Sequence, residues 1–196
     1  MHSATSSTAR TVGKVVLGAV ILAELIAIVI LFADTREPDA SSRNEARLST
    51  GSGDAASYSN AAAGYSFDYP KDWELEPNGT VAKITSPDGD AVISVGPGAG
   101  KDPLTATERM TAKLTKTYES VEITDRKVVS TALGGNLGVV LTGTATNARG
   151  ADLDFEAASI QARGSGIGIT AFSSAGKARV TEVFQDLLDS LEVQAA

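Results

Sequence analysis

The sequence predicts an α+β domain, a mainly antiparallel sheet covered by helices, standing behind one membrane-spanning helix. Three observations lead there. Residues 15–33 form an apolar run of nineteen residues with a single charge, Glu24. From about residue 62 onward, short alternating stretches are separated by Gly, Asn and Pro turns. Two further segments, one opening at Pro103 and one closing at Leu191, carry apolar residues at helical spacing instead.

Composition narrows the chemistry. The chain has 196 residues, 17 basic and 24 acidic, with no cysteine and one histidine, His2. No disulfide framework, thiolate nucleophile, Cys/His zinc site or Ser-His-Asp triad is compatible with that. A net charge of −7 with 5% aromatic residues also lacks the basic footprint of a nucleic-acid binder. The charge is uneven: residues 1–14 carry net +2, residues 15–33 carry −1, residues 34–61 carry −2 and residues 62–196 carry −6.

As a helix, residues 15–33 (VVLGAVILAELIAIVILFA) have about the length that crosses a ~30 Å hydrocarbon layer. A cleaved secretory signal competes with this reading, but its apolar core would run only about 7 to 15 residues, and Leu31-Phe32-Ala33 puts Leu where cleavage needs a small residue. With no cysteine to carry a lipid, a lipoprotein anchor is excluded. Arg10 and Lys14 precede the span while Asp34, Arg36, Glu37 and Asp39 follow it, so the N-terminus is expected in the cytoplasm and the rest outside. Glu24 sits mid-span, where an ionised carboxylate costs on the order of 2.5–3.5 kcal/mol. Ala19, Ala23 and Ala27 form a small-residue stripe beside it, and the two features together suggest lateral helix association.

Residues 34–61, rich in Ser, Asp, Ala and Asn, read as a flexible tether spanning about 30 Å as a random coil. The folded domain is then expected over 62–196. Tyr65-Ser66-Phe67-Asp68-Tyr69 alternates and stops at Pro70, a half-buried strand, and Trp73 follows. Thr80–Thr85 and Ala91–Gly96 form a hairpin across Ser86-Pro87-Asp88-Gly89-Asp90. Asp102-Pro103 opens a helix to about Tyr118 that buries Met110, Leu114 and Tyr118. Strands at 122–130, 137–146, 153–162 and 166–172, joined by short Gly/Asn links, suit an antiparallel meander. Val180, Val183, Phe184, Leu187, Leu188 and Leu191 give a last helix one apolar face, opposite Glu182, Gln185, Asp186 and Asp189.

The opening Tyr65-Ser66-Phe67-Asp68-Tyr69-Pro70-Lys71-Asp72-Trp73 resembles the start of PsbP-like (Mog-like) domains, whose members include membrane-anchored extracytoplasmic actinobacterial proteins. The closing Phe184-Gln185-Asp186-Leu187-Leu188-Asp189-Ser190-Leu191-Glu192-Val193 is similar to the terminal helix and last short strand of that superfamily. The resemblance covers about residues 62–194. It implies an α/β/α sandwich used as a protein-binding or complex-stabilising module, generally without enzymatic activity. No functional residue carries over, because the matching positions build the fold.

Chemical constellations are few. Gly96-Pro97-Gly98-Ala99-Gly100-Lys101-Asp102 fails as a phosphate-binding loop, with Val95 where the first Gly belongs and Asp102 where Ser or Thr belongs. Asp152, Asp154 and Glu156 alternate with Leu153 and Phe155, which puts three carboxylates on one sheet face, read as solvated or as a partner surface. Regular strand spacing does not wrap a calcium ion with six to eight ligands. Tyr65, Tyr69 and Trp73 are candidates for a ligand groove, though core packing suits them as well. Asp88-Gly89-Asp90 reads as a turn, and so does Asn78-Gly79-Thr80 despite its glycosylation pattern. The expected function is therefore a single-pass, membrane-anchored, non-catalytic module that binds a protein of the cell envelope. No catalytic residue, metal, cofactor, nucleotide or nucleic acid is expected. The alternative is a receptor domain for a small lipid, glycan or peptide ligand.

Overall fold

The computed structural model describes residues 46–50, 54–98, 102–131, 136–162, 165–176 and 178–193. The expected anchor 15–33, with Glu24, Ala19, Ala23 and Ala27, lies outside them, as does the flank 1–14. Among the described residues no helix is long and apolar enough to cross a membrane.

The hairpin at Ser86–Asp90 forms for reasons visible in its side chains. Gly89 takes φ +71°, the Ser86 hydroxyl donates to Asp88 Oδ1 at 2.6 Å, and the Ala91 N–H donates back to the Ser86 hydroxyl at 3.0 Å. It joins β5 (Val81–Thr85) to β6 (Ala91–Pro97). Helix α1 (Pro103–Thr117) then starts on Asp102, whose carboxylate accepts from the Thr105 N–H at 2.9 Å, with Pro103 fixing the first helical φ. It buries Met110 and Leu114, and Tyr118 just beyond its end is buried too. The meander follows as β7 (Ser120–Ser130), β8 (Leu137–Thr146), β9 (Asp152–Ala162) and β10 (Ser165–Ser174). Asn147 holds the β8–β9 turn, its side-chain oxygen accepting from the N–H groups of Arg149 and Ala151. Helix α2 (Ala178–Ser190) closes the domain with β11 (Glu192–Val193).

All the pairings are antiparallel, in two sheets. The larger has seven strands in the order β4-β5-β6-β10-β9-β8-β7, where β4 is Glu74–Asn78. Helix α1 carries the chain from β6 to the far edge, and the meander walks back until β10 pairs with β6. The smaller sheet has the order β1-β2-β3-β11, with β1 at Ala46–Thr50, β2 at Ala55–Asn60 and β3 at Tyr65–Pro70.

That smaller sheet corrects the expectation of a tether over 34–61, since residues 46–50 and 55–60 are paired strands. Composition hides them: of AASYSN in β2 only Tyr58 and Asn60 are buried. The buried Asn60 amide is satisfied three ways, donating to the Tyr58 hydroxyl and the Gly79 carbonyl and accepting from the Ala63 N–H. The Gly79 bond joins β2 to the first turn of the larger sheet. The sequence also leaves β4 unread, because its Glu74-Leu75-Glu76-Pro77-Asn78 has little strand propensity and Pro is confined to sheet edges, which is where β4 lies.

The core lies on both faces of the seven-stranded sheet. Under α1, Met110, Leu114 and Tyr118 meet Val92, Leu141, Leu153, Phe155 and Phe172. On the opposite face, α2 and the smaller sheet together cover Ile84, Ile93, Val95, Ala158, Ile160, Ile167 and Ile169. The expected helix–sheet–helix layering is present, with the second outer layer shared between a helix and a small sheet.

Candidate functional site: a groove at the start of the second helix

Tyr65 and Tyr69 are built into the core, 0% and 9% exposed, and line neither of the grooves described below. The Tyr65 ring stacks on Phe67 at 6.1 Å, and Tyr58 packs against both. The Tyr65 hydroxyl donates into the carbonyls of Thr80 and Val95, at 3.0 and 3.1 Å, and its burial pushes the phenol pKa far above the usual range. Trp73 is also buried, but it does border open space. With Asp88, Asp90, Ala91 and Val180 it lines a small groove of about 160 Å³, and its indole N–H has no acceptor.

A larger groove of about 340 Å³ opens on the other side of Val180. Its walls are the hydroxyl-bearing Thr124, Thr142, Thr144 and Thr181, the carboxylates of Asp154 and Glu156, and the backbone at Gly143 and Gly176. Strand register explains the grouping. Thr142 stands opposite Glu156 and Thr144 opposite Asp154 across β8 and β9, so these side chains share one face. At Gly143 no side chain fits, because a Cβ there would collide with the Glu122 carbonyl and the Phe155 ring. β7 bulges at the same place, between Ile123 and Asp125. Gly176 is held at φ +84° and donates its N–H to Asp154 Oδ2 at 2.7 Å, which fixes the turn leading into α2.

The three carboxylates expected on one face are on one face, but their surroundings differ. Asp152 is exposed and accepts from the Thr146 hydroxyl, Asp154 is half-buried, and Glu156 is 8% exposed. The expectation of a uniformly solvated face fails at Glu156, because the first turn of α2 covers that end of β9. Burial raises the Glu156 pKa, against a hydrogen bond from Thr181 and the positive charge of Lys127. Lys127 itself is exposed and pairs with Asp125 at 2.8 Å. In the same row as Asp154, Ser173 is fully buried and its hydroxyl has no partner. The threonines and Ser173 had no motif to announce them; only the register brings them together. Among the described residues no group of three or more His, Cys, Asp or Glu side chains is placed to hold a metal ion.

Comparison with known proteins fits this architecture. No family model matches the chain, and no curated protein matches it. Among solved structures, the cyanobacterial PsbP (CyanoP) of Synechocystis aligns over 82% of this chain and 99% of its own, at 14% identity and a TM-score of 0.56. The fold is PsbP-like. A Pseudomonas aeruginosa protein of unknown function aligns over 74% of this chain and all of its own, with 15% identity and a TM-score of 0.49. LpqN of Mycobacterium tuberculosis, described as involved in cell envelope biogenesis, covers 78% of this chain and 92% of its own at 10% identity and a TM-score of 0.45. Only the first of these scores bears on the fold, and at 14% identity it extends to nothing else. The PsbP-like domain thus agrees with the resemblance read from Tyr65–Trp73 and Phe184–Val193.

Proposed function

We propose that this chain is a single-pass membrane protein presenting its PsbP-like domain outside the cell membrane, where it binds or stabilises a protein complex of the envelope without catalysing a reaction. The observation that carries this reading is the sealed aromatic core. Tyr58, Tyr65, Phe67 and Tyr69 fill the space between the two sheets and line neither of the two grooves described, while Trp73 borders the smaller one, which is too small for a lipid or glycan. Anchorage and orientation are supported by the apolar run 15–33 and its cationic flank. A contact surface is available at the outer hairpin, where Val128 and Leu137 are 75% and 61% exposed on one face of β7 and β8. The anchor contributes its own contact through Glu24 and the Ala19, Ala23, Ala27 stripe.

In-cell crosslinking of the full-length chain, read by mass spectrometry, tests this. Wild type is expected to give recurrent crosslinks to one envelope complex, reduced in Val128→Lys/Leu137→Lys and, for the helix contact, in Glu24→Leu. Full abundance in the membrane fraction with no recurrent partner would overturn the reading, as would turnover of a defined envelope substrate by the purified protein.

A further inference from the structure

A carboxylate taken out of water needs a counter-charge or hydrogen-bond donors for both its oxygens. Glu156 has only part of this. Thr181 donates to its carboxyl, yet Oε2 is buried with no partner, and the Glu156 residue lines the 340 Å³ groove. Among the described side chains, the charged groups around it do not supply what is missing. On its own strand the neighbour on the same face is Asp154, another acid whose Oδ2 is occupied by the Gly176 N–H. Across β8 stand the neutral Thr142 and Thr144. On β7, Lys127 is held by Asp125, and Glu122 stands in the row of Thr144. From α2 comes Thr181, with the exposed Glu182 beside it in sequence.

The groove is therefore a concave acceptor surface, with two carboxylates and four threonine hydroxyls and one carboxylate oxygen unmet. An anion is repelled there. A hard divalent cation is held chiefly by carboxylate oxygens, and here only two carboxylates are present, one of whose oxygens, Asp154 Oδ2, already accepts from the Gly176 N–H. An ammonium group carries one positive charge and three N–H donors, which three acceptors satisfy. A volume of about 340 Å³ is at the small end of ligand sites, which fits a head group rather than a whole lipid or oligosaccharide.

We propose that this groove is a binding site for a primary ammonium group, with the carboxylates of Glu156 and Asp154 as charged acceptors and Thr142 as the neutral third. The ammonium belongs either to a free organic amine or to a lysine side chain of a partner; the recognition chemistry is the same. The site is separate from the hairpin surface at Val128 and Leu137, so either stands if the other fails.

The test uses the full-length protein in nanodiscs, with ¹³C-labelled glutamate carboxyls followed by NMR while cadaverine, Nα-acetyl-lysine methylamide or calcium chloride is added. Saturable movement of the Glu156 signal by an amine is expected. Titrations followed by calorimetry should show binding weakened at least about tenfold in Glu156→Gln and about threefold in Thr142→Val, which keeps the carboxylate. Cadaverine binding without the lysine derivative assigns a free amine; the lysine derivative binding without cadaverine assigns a partner side chain. Should Glu156→Gln not fold, Thr142→Val and Asp154→Asn carry the same comparison. Equal affinity in wild type and variants, no saturation by either amine, or saturation by calcium alone overturns the proposal.

Discussion

Strand β9 runs through two environments on a single face. At its C-terminal half, Ala158 and Ile160 sit beneath the tyrosines of the smaller sheet, sealed and almost free of exposed surface. Two residues earlier on the same face, Glu156 and then Asp154 enter a groove walled by threonines and bounded by the first turn of α2, with Asp152 exposed beyond it. The backbone geometry is continuous, so the difference comes from what lands on top. A broad aromatic layer covers one half, while a narrow helix end covers the other incompletely. A sheet face becomes core or site according to the width of its cover.

The sealed half should break most sharply. Phe184, fully buried on α2, holds that cover in place, and Phe184→Ala should lower the unfolding free energy by about 3–5 kcal/mol, read from denaturant midpoints. Tyr65→Phe keeps the ring but leaves the Thr80 and Val95 carbonyls without their donor, a loss of about 1–3 kcal/mol in the same assay. A loss close to zero would mean that packing, not the hydroxyl, is what Tyr65 contributes.

The open half should respond more gently. Gly176→Ala meets no neighbouring atom but must adopt φ +84°, so about 1–2 kcal/mol of destabilisation is expected, with the Asp154 contact weakened. Thr142→Val should stay within about 0.5 kcal/mol in stability, since the hydroxyl faces the groove and not the packed core. Glu156→Gln sharpens the comparison through pH. Burial raises the folded-state pKa of Glu156, so the folded protein binds this proton more tightly than the unfolded chain does. The resulting penalty is absent below the ordinary carboxylate pKa and grows as pH rises toward the elevated one. Wild type should therefore lose stability across that window relative to Glu156→Gln. Parallel stability curves for the two proteins would show that the carboxylate is well solvated.

Much of this arrangement was legible in the residues. The meander from Ser120 to Ser174, the Ser86–Asp90 hairpin and both helices follow from local periodicity, turn chemistry and the Asp102 cap, which act within a few residues. The placement of Asp152, Asp154 and Glu156 on one face follows from period two alone. Strands β1, β2 and β4 were not legible, because their residues neither alternate strongly nor favour extended structure; β2 and β4 are strands because β3 and β5 offer them hydrogen-bonding edges. The burial of Tyr65 in place of a ligand groove was equally out of reach, since an amphipathic aromatic serves either role.

The sequence by itself determined the order of elements, the helical and strand faces, the acidic balance and the apolar run before the domain. These depend on covalent spacing and on side-chain type. The tertiary structure alone decided which edge each strand joined, that the smaller sheet would close over the aromatics, and that Glu156 rather than Asp152 would lose its water. Burial is a property of the element that arrives from elsewhere in the chain, and no local pattern records where α2 comes to rest.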